Sequence, residues 1–415
     1  MRLLMNDQLR VNGNRLIADL EELSRIGGTQ EGGVHRPALS EADLETRRWL
    51  GDKARAAGLM VTKDGVGNIF MALPAASPSA PTVLFGSHLD SVPNGGRFDG
   101  ALGVVAALEV LRTVQEAHLA LPYHLEGVSF TDEEGTWGGL LGSRALAGLL
   151  TPEEFERPRG DVSVFRERMA AAGLTPTGAL QSGRGSRTIK AWVEAHIEQG
   201  PRLEERGIPI GVVTEIVGIA SGWLIFEGRA DHAGTTPLPR RRDALQGAAE
   251  FVRRSRELVL DRFEGGVVNC GMVKVHPGAF NIVPREVQLA LEFRHSNPDM
   301  LNRMRDELFR LAREVAAEQH LGLAIDEKDL HQPVRLNEEV MGAIEKACQT
   351  LGLASTRLAS FAGHDTQVMA SLTRAGMFFV PSVGGMSHSP EEQTREPDCV
   401  NAGNVLLHSV LGLAG

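Results

Sequence analysis

The chain has 415 residues, 42% of them hydrophobic, and a formal net charge of -10. That length exceeds what one core fills and predicts two domains, while the acidic balance argues against nucleic acid or an anionic membrane as partner. Three cysteines without a Cys-x-x-Cys pair exclude a disulfide framework and a thiolate zinc site, and the apolar run of residues 3–5 is too short for a signal peptide. No stretch reaches membrane-spanning length, so a reducing, cytoplasmic setting is expected.

Apolar positions at Leu16, Ile17, Leu20, Leu23 and Ile26 predict a helix over 12–26. A second is predicted over 41–57, stopped by Gly58, with a glycine-rich loop over 27–33 between them. Residues 60–63 and 68–73 read as short strands around a turn, and 74–81 as a proline-, alanine- and serine-rich loop. The stretch around which the chain is organised follows at 82–100, TVLFGSHLDSVPNGGRFDG. Its apolar run enters a turn carrying His88, Asp90 and Asp99 among glycines, where a buried strand ends. His88 and Asp99 suit a divalent ion, and Asp90 can reach the other imidazole nitrogen and set its tautomer. A buried helix over 101–114 is predicted directly behind Asp99.

The run 124–131 is a further strand and ends in Asp132, Glu133, Glu134 and Gly135. Two such carboxylates can divide the work of ligand and proton carrier. Residues 188–197 form another strand, with His196 at its end and Glu198 and Gln199 just beyond. From about Gly211 the texture changes: strands at 212–217, 223–227, 267–275 and 287–294, helices at 244–261 and 299–320, and a short strand at 323–327 predict an α+β insert. After Pro333 the first texture resumes, with a helix over 337–351, the stretch FAGHDTQ, a strand over 377–383, then GGMSHSPEE and a final helix over 400–413.

The expected architecture is therefore an α/β catalytic domain, a mostly parallel twisted sheet flanked by helices, in residues 1–211 and 331–415. A ferredoxin-like α+β insert, residues 212–330, interrupts it. Of thirteen histidines, five sit in glycine- or serine-rich turns near a strand and an acidic residue: His88, His196, His232, His364 and His388. Ligand types at successive ends of one parallel sheet converge on one edge. Two metal ions roughly 3.5 Å apart need one bridging carboxylate, further histidine and carboxylate ligands, and a spare carboxylate for the water proton. Asp99 as bridge, His88, Glu134, His196 and His388 as terminal ligands and Glu133 as base would fill that set.

The ordered motifs GSHLDSVPNGGRFDGALGV, TDEEG, EAHIEQGPRLE, ADHAGTTP, FAGHD and GGMSHSPEE resemble the dinuclear metal amidohydrolases that include N-carbamoyl-L-amino-acid hydrolase, allantoate amidohydrolase and β-ureidopropionase, within the aminoacylase and carboxypeptidase metallopeptidase clan. The histidine of EAHIEQG points to the carbamoylase and ureidohydrolase branch. The resemblance implies His88, Asp99 and His196 on one divalent ion and Asp99, Glu134 and His388 on the other, with zinc, manganese, cobalt or nickel all compatible. It implies Glu133 as general base, Asp90 orienting His88, and His232 reaching the active site of the partner subunit in a homodimer to stabilise the oxyanion. Asn281 and Arg294 match positions that bind substrate carboxylate or amide groups, and Gln199 and the turn of Gly363 and His364 would line the same pocket. Two departures stand out. Phe361 replaces the usual glycine, and Thr366 stands where a small apolar residue is commoner, so a reshaped pocket wall near His364 is expected; Ala220, Ser221 and Gly222 weaken an allantoate reading.

The expected activity is hydrolysis of a linear ureido or amide bond in a small substrate with a carboxylate, foremost an N-carbamoyl-L-amino acid. Allantoate, β-ureidopropionate, an aminoacylase or dipeptidase activity, and a metal-bound binding module are the alternatives.

Overall fold

The computed structural model describes residues 8–120, 122–184 and 189–414, with only the main chain at Asp329. The apolar run 3–5 and the expected strand start at Thr188 lie outside the described residues. The chain divides into two compact units, Met1–Thr214 with Leu336–Gly415, and Glu215–Arg335.

In chain order the strands are β1 (Met60–Lys63), β2 (Ile69–Leu73), β3 (Thr82–His88), β4 (His124–Phe130), β5 (Ile189–Ile197), β6 (Ile210–Ile216), β7 (Gly218–Glu227), β8 (Val267–His276), β9 (Glu286–His295), β10 (Gly322–His331), β11 (Val334–Arg335), β12 (Ser355–Ser360) and β13 (Arg374–Val380). The larger sheet has the order β1-β2-β4-β3-β5-β13-β6-β11, with β12 paired to β6. Its centre is parallel: β3 runs with β4 and with β5, and β5 with β13. The flanking pairs β1/β2, β2/β4, β13/β6 and β11/β6 are antiparallel. The central strands are buried along nearly their whole length, as strands covered on both faces must be. Because these four strands run the same way, their ends at Phe130, His88, Ile197 and Val380 share one edge.

The helix Ala101–Glu116 is buried from Ala101 through Val114 and packs on β3, β4 and β5 and against the helices Gly13–Ser24 and Glu396–Ala414. Its apolar circumference follows from this position between a sheet and two helices. Asn12, Ser40 and Asn337 cap their helices by accepting main-chain N–H groups. At Gly86, in a conformation with φ +151°, an added Cβ would overlap the Val128 carbonyl oxygen. Only glycine lets β3 approach β4 there.

Several expectations change. The strand expected at 212–217 as part of the insert is β6, and it pairs with β13 in the larger sheet through Gly211 and Val212. Four short helices, Leu141–Leu146, Pro152–Glu156, Val162–Ala171 and Pro176–Leu180, occupy a stretch that carried no predicted element. They bury few residues each, such as Phe155, Phe165 and Met169, around Trp137 in a small separate core, so no long apolar period announces them. The helix Asp365–Leu372 and strand β12 were likewise absent from the expectation.

The second unit is a four-stranded antiparallel sheet of order β10-β7-β9-β8 with the helices Ala244–Arg262 and Pro298–Glu318. Strict alternation of burial in β7 and β9 marks one face covered by those helices. The strand expected to be short at 323–327 is the ten-residue β10, paired along β7 with a bulge between Glu327 and Asp329. Among the described residues no helix is long and apolar enough to cross a membrane.

Candidate metal centre

His88 closes β3 with its ring buried, and its Nδ1 lies 3.0 Å from the Asp90 carbonyl oxygen. Nδ1 must then carry the proton and donate it, leaving the Nε2 lone pair free. That Nε2 stands 3.5 Å from Asp99 Oδ1 and 3.7 Å from Glu133 Oε2. His196, near the end of β5, repeats the arrangement: Nδ1 is 2.9 Å from the Ile197 carbonyl oxygen and Nε2 is 3.1 Å from Asp99 Oδ1. Asp99 Oδ2 faces the other way, 3.5 Å from Nε2 of His388, which is also 3.5 Å from Glu134 Oε2. His88, Asp99 and His196 thus form one group able to hold a metal, and Asp99, Glu134 and His388 a second. The two groups share Asp99.

Asp90 thus reaches the His88 ring through its main-chain carbonyl and not through its carboxylate. The nearest carboxylate oxygen is 3.9 Å from His88 Nδ1, because the carboxylate accepts the main-chain N–H groups of Glu133 and Glu134 at 3.3 and 3.2 Å. Main-chain carbonyl and side-chain carboxylate of one residue therefore fix two neighbouring strand ends. Gln199 donates from Nε2 to Asp99 Oδ2 at 2.8 Å. Gln199, His388 and Asp132 all adopt left-handed backbone with φ between +55° and +57°, a strain of about 1–3 kcal/mol each that concentrates at this edge. Gly100, φ +62°, could carry no Cβ without colliding with the His88 ring.

Burial of so many acids sets the electrostatics. Burial, with Glu134, Asp365 and Asp99 adding to it against His88, holds the Glu133 pKa well above its ordinary value; burial and Asp99 do the same to Glu134. Burial favours neutral His88 and His196, but the neighbouring carboxylates outweigh it and raise both imidazoles. Asp99 is held well below the carboxylate range because the two histidines overcome its burial. A buried edge this rich in carboxylates favours positive charge, which divalent ions would supply on displacing its protons. Glu134 Oε1, buried and without a hydrogen-bond partner among the described residues, leaves an open oxygen that could ligate a metal. The residues fit divalent ions.

Residues that the motifs contained but sequence reasoning did not assign complete the surroundings. Glu392 accepts the N–H groups of Phe98 and Asp99, both at 3.0 Å, and burial with the Asp99 charge pushes its pKa up to about 7. Asp132 accepts from Trp137 and Gly138 at 3.0 and 2.8 Å, and burial and Asp90 push it to about 7. Glu194 precedes His196 by two on β5, a spacing that puts both on one face of a buried strand and could have been read. It accepts from Ser87 and Thr366, and with His196 and His364 forms a third candidate group.

His364 is buried with its ring centroid 4.6 Å from that of His196, at the start of the helix Asp365–Leu372 with Gly363 before it. Thr366 forms no pocket wall: fully buried, it donates to Glu194 Oε2 at 2.6 Å and accepts from Trp192 Nε1 at 2.6 Å. Phe361 lies under the Arg202 guanidinium.

His232, Asn281 and Arg294 belong to the second unit. His232 bridges to Ile282, and the Asn281 carbonyl accepts the Ala233 N–H at 3.0 Å, so their two loops are one paired structure. His232 is exposed, and its Nδ1 accepts from the amides of Gly234 and Thr235 at 3.0 and 3.2 Å. Its proton therefore sits on Nε2. Arg294 donates to Glu292 at 2.7 and 2.9 Å.

Residues 84–411 match the sequence pattern of peptidase family M20/M25/M40. The chain belongs to that family. M20 enzymes are metal-dependent, and this chain is one of their hydrolases. It is 38% identical over 411 residues to an N-carbamoyl-L-amino acid amidohydrolase of Geobacillus stearothermophilus, covering 97% of this chain and 99% of the relative. An allantoate amidohydrolase of Bacillus subtilis is 32% identical, covering 92% and 93%. Among solved structures, a hydantoinase/carbamoylase-family amidase from Burkholderia vietnamiensis matches with TM-score 0.89 and 36% identity over 98% of each chain. The expected α/β architecture with its α+β insert is the architecture of this M20 chain.

Proposed function

We propose that the chain hydrolyses N-carbamoyl-L-amino acids to the amino acid, ammonia and carbon dioxide. The observation that carries this reading is the pair of ligand groups joined by one carboxylate, Asp99, with Glu133 beside them. The names of several relatives, N-carbamoyl-L-amino-acid amidohydrolases at 34–38% identity, support the substrate class.

His88, Asp99 and His196 would hold one ion and Asp99, Glu134 and His388 the other, each of zinc, manganese, cobalt or nickel. Bound ions supply Lewis acidity, polarising a carbonyl and acidifying water. Glu133, its main-chain N–H held by the Asp90 carboxylate, accepts the proton of the attacking water and later returns it to the leaving nitrogen. His232, with its proton on Nε2, donates to the oxygen on which charge develops. Arg294 and Asn281 bind the substrate carboxylate, a role in which Arg294 exchanges Glu292 for a two-pronged hydrogen-bonded partner. Gln199 and the Gly363–His364 turn border the reacting group.

The second unit serves as lid and dimerisation domain in this reading, and His232 acts in the partner subunit's site. Strand β8 supports a homodimer: it is the edge of its sheet and exposes Val267, Met272 and Val273, while Leu245 and Val252 stand exposed on the helix Ala244–Arg262. An edge strand with unpaired main-chain groups and apolar side chains is suited to pairing with its own copy. Three free cysteines suit a reducing cytoplasm.

The test is ammonia release by metal-loaded protein from N-carbamoyl-L-amino acids, allantoate and β-ureidopropionate, with N-acetyl amino acids and dipeptides scored by free amine. Chelator-sensitive release from the first class is the expected result. Turnover of allantoate or β-ureidopropionate instead would reassign the substrate within the branch, cleavage of acyl or peptide substrates alone would assign an aminoacylase or dipeptidase, and silence on all would leave a binding module.

A further inference from the structure

We propose that Glu392 is a positioning residue that sets the geometry of the Asp99 carboxylate and, through it, the affinity of the centre for metal. The inference rests on the reading of Asp99 and His388 as ligands.

Glu392 is buried, yet among the described residues no ion pair engages its carboxylate; three hydrogen-bond donors do. Oε1 receives the N–H groups of Phe98 and Asp99, which fixes the peptide planes from which the Asp99 side chain projects. Oε2 receives the Ser387 hydroxyl at 2.9 Å, and that hydroxyl oxygen also lies 3.1 Å from Asp99 Oδ2. One carboxylate therefore touches the main chain of Asp99, and through Ser387 its side chain. Ser387 immediately precedes His388, so the same contacts, which join residues 288 to 294 positions apart in sequence, tie the loop carrying the shared ligand to the loop carrying a terminal one.

The fit leaves no slack. An added Cβ at Gly96 would overlap the Glu392 carboxylate, so the loop before Asp99 folds directly against it. A buried carboxylate is costly unless its hydrogen bonds are made, and here it makes them with the segment that aims a ligand. Groups that orient ligands from behind change metal affinity by about 10–100-fold when removed. A staple that only held two loops together would change unfolding and leave affinity alone.

The experiment is calorimetric titration of metal-free protein with Zn²⁺ and Mn²⁺ for the wild type, Glu392→Gln, Glu392→Ala and Gly96→Ala, with Asp99→Asn as control. Glutamine retains an acceptor for the two amides and a donor for Ser387, so its dissociation constant should rise less than about tenfold, whereas Glu392→Ala should weaken binding about 10–100-fold. Gly96→Ala keeps the glutamate but displaces its carboxylate, and should weaken binding likewise. Because it leaves every ligand and Glu392 itself in the chain, it carries the test should Glu392→Ala fail to fold. Wild-type affinity in Gly96→Ala and Glu392→Ala, with only the unfolding midpoint lowered, overturns the proposal. Wild-type affinity in Asp99→Asn instead overturns the ligand assignment on which the proposal rests.

Discussion

The Asp90 carbonyl accepts the Nδ1–H of His88 at 3.0 Å, while the Asp90 carboxylate turns to the amides of Glu133 and Glu134. Replacing Asp90 by asparagine should therefore leave the His88 tautomer intact but set an NH₂ against one of the two amides. We expect kcat to fall about 10–100-fold with metal content unchanged, as for other groups that orient a site from behind. Metal analysis beside steady-state kinetics decides; loss of the ion along with activity would mean that the carboxylate holds the imidazole after all.

In the proposed mechanism Glu133→Gln removes the proton carrier but none of the six donor positions in the two candidate ligand groups. Activity should drop by about 10²–10⁴-fold with two ions still bound. A variant that turns over at the wild-type rate removes Glu133 from the mechanism.

If His232 serves the partner subunit's site, two inactive variants should rescue each other. His232→Ala mixed with Glu133→Gln places one intact Glu133 opposite one intact His232 in each heterodimer. After subunit exchange, about a quarter of wild-type activity should return. No recovery in a mixture proved to contain heterodimers assigns His232 to its own subunit.

Thr366 lies between Trp192 Nε1 and Glu194 in a fully buried network. Thr366→Val keeps the shape and leaves both partners with an unmade hydrogen bond, costing about 1–3 kcal/mol. Urea unfolding of the metal-free protein measures this. An unchanged midpoint would mean that the network contributes nothing to stability.

Burial raises Asp132 and Glu392 to about 7 and Asp365 to about 8. The folded metal-free protein then holds protons that the unfolded chain has released, so its stability falls as pH rises from about 4 to 8. His88 and His196, raised by their carboxylates against burial, act in the same direction: what they contribute is complete below the ordinary imidazole value and is lost as pH climbs through the raised one. Asp99, lowered by the histidines against its burial, contributes stability above the ordinary carboxylate value that is lost only in stronger acid. Denaturant midpoints of metal-free protein should be lower at about pH 8 than at about pH 5.5, and metal should reduce the difference. A midpoint that climbs over this interval would contradict the protonated state of these acids.

The parallel centre of the sheet was legible because β3, β4, β5 and β13 are apolar runs of strand length that end in polar turns, and burial on both faces demands such runs. The same logic marked His88, the Glu133 and Glu134 pair, His196 and His388, since ligand chemistry stood wherever such a strand stopped. What a linear pattern does not carry is which atom of a residue turns which way. Asp90 holds His88 by its main chain and the glutamates by its side chain, and the second contact depends on β3 and β4 being neighbours. Glu392 stood in the quoted GGMSHSPEE motif without a role, because the amides it accepts arrive only when Phe98 and Asp99 fold against it from far earlier in the chain. Thr366 looked like a pocket residue until Trp192 and Glu194 were found on either side of it. Residue types and their order thus determined the parallel centre of the sheet, the α+β character of the insert and the inventory of candidate donors. Only tertiary packing decided the long-range hydrogen bonds around those donors, such as those of Glu392 with Phe98 and Asp99 and of Asp90 with Glu133 and Glu134, because they join segments whose separation in sequence carries no information about direction.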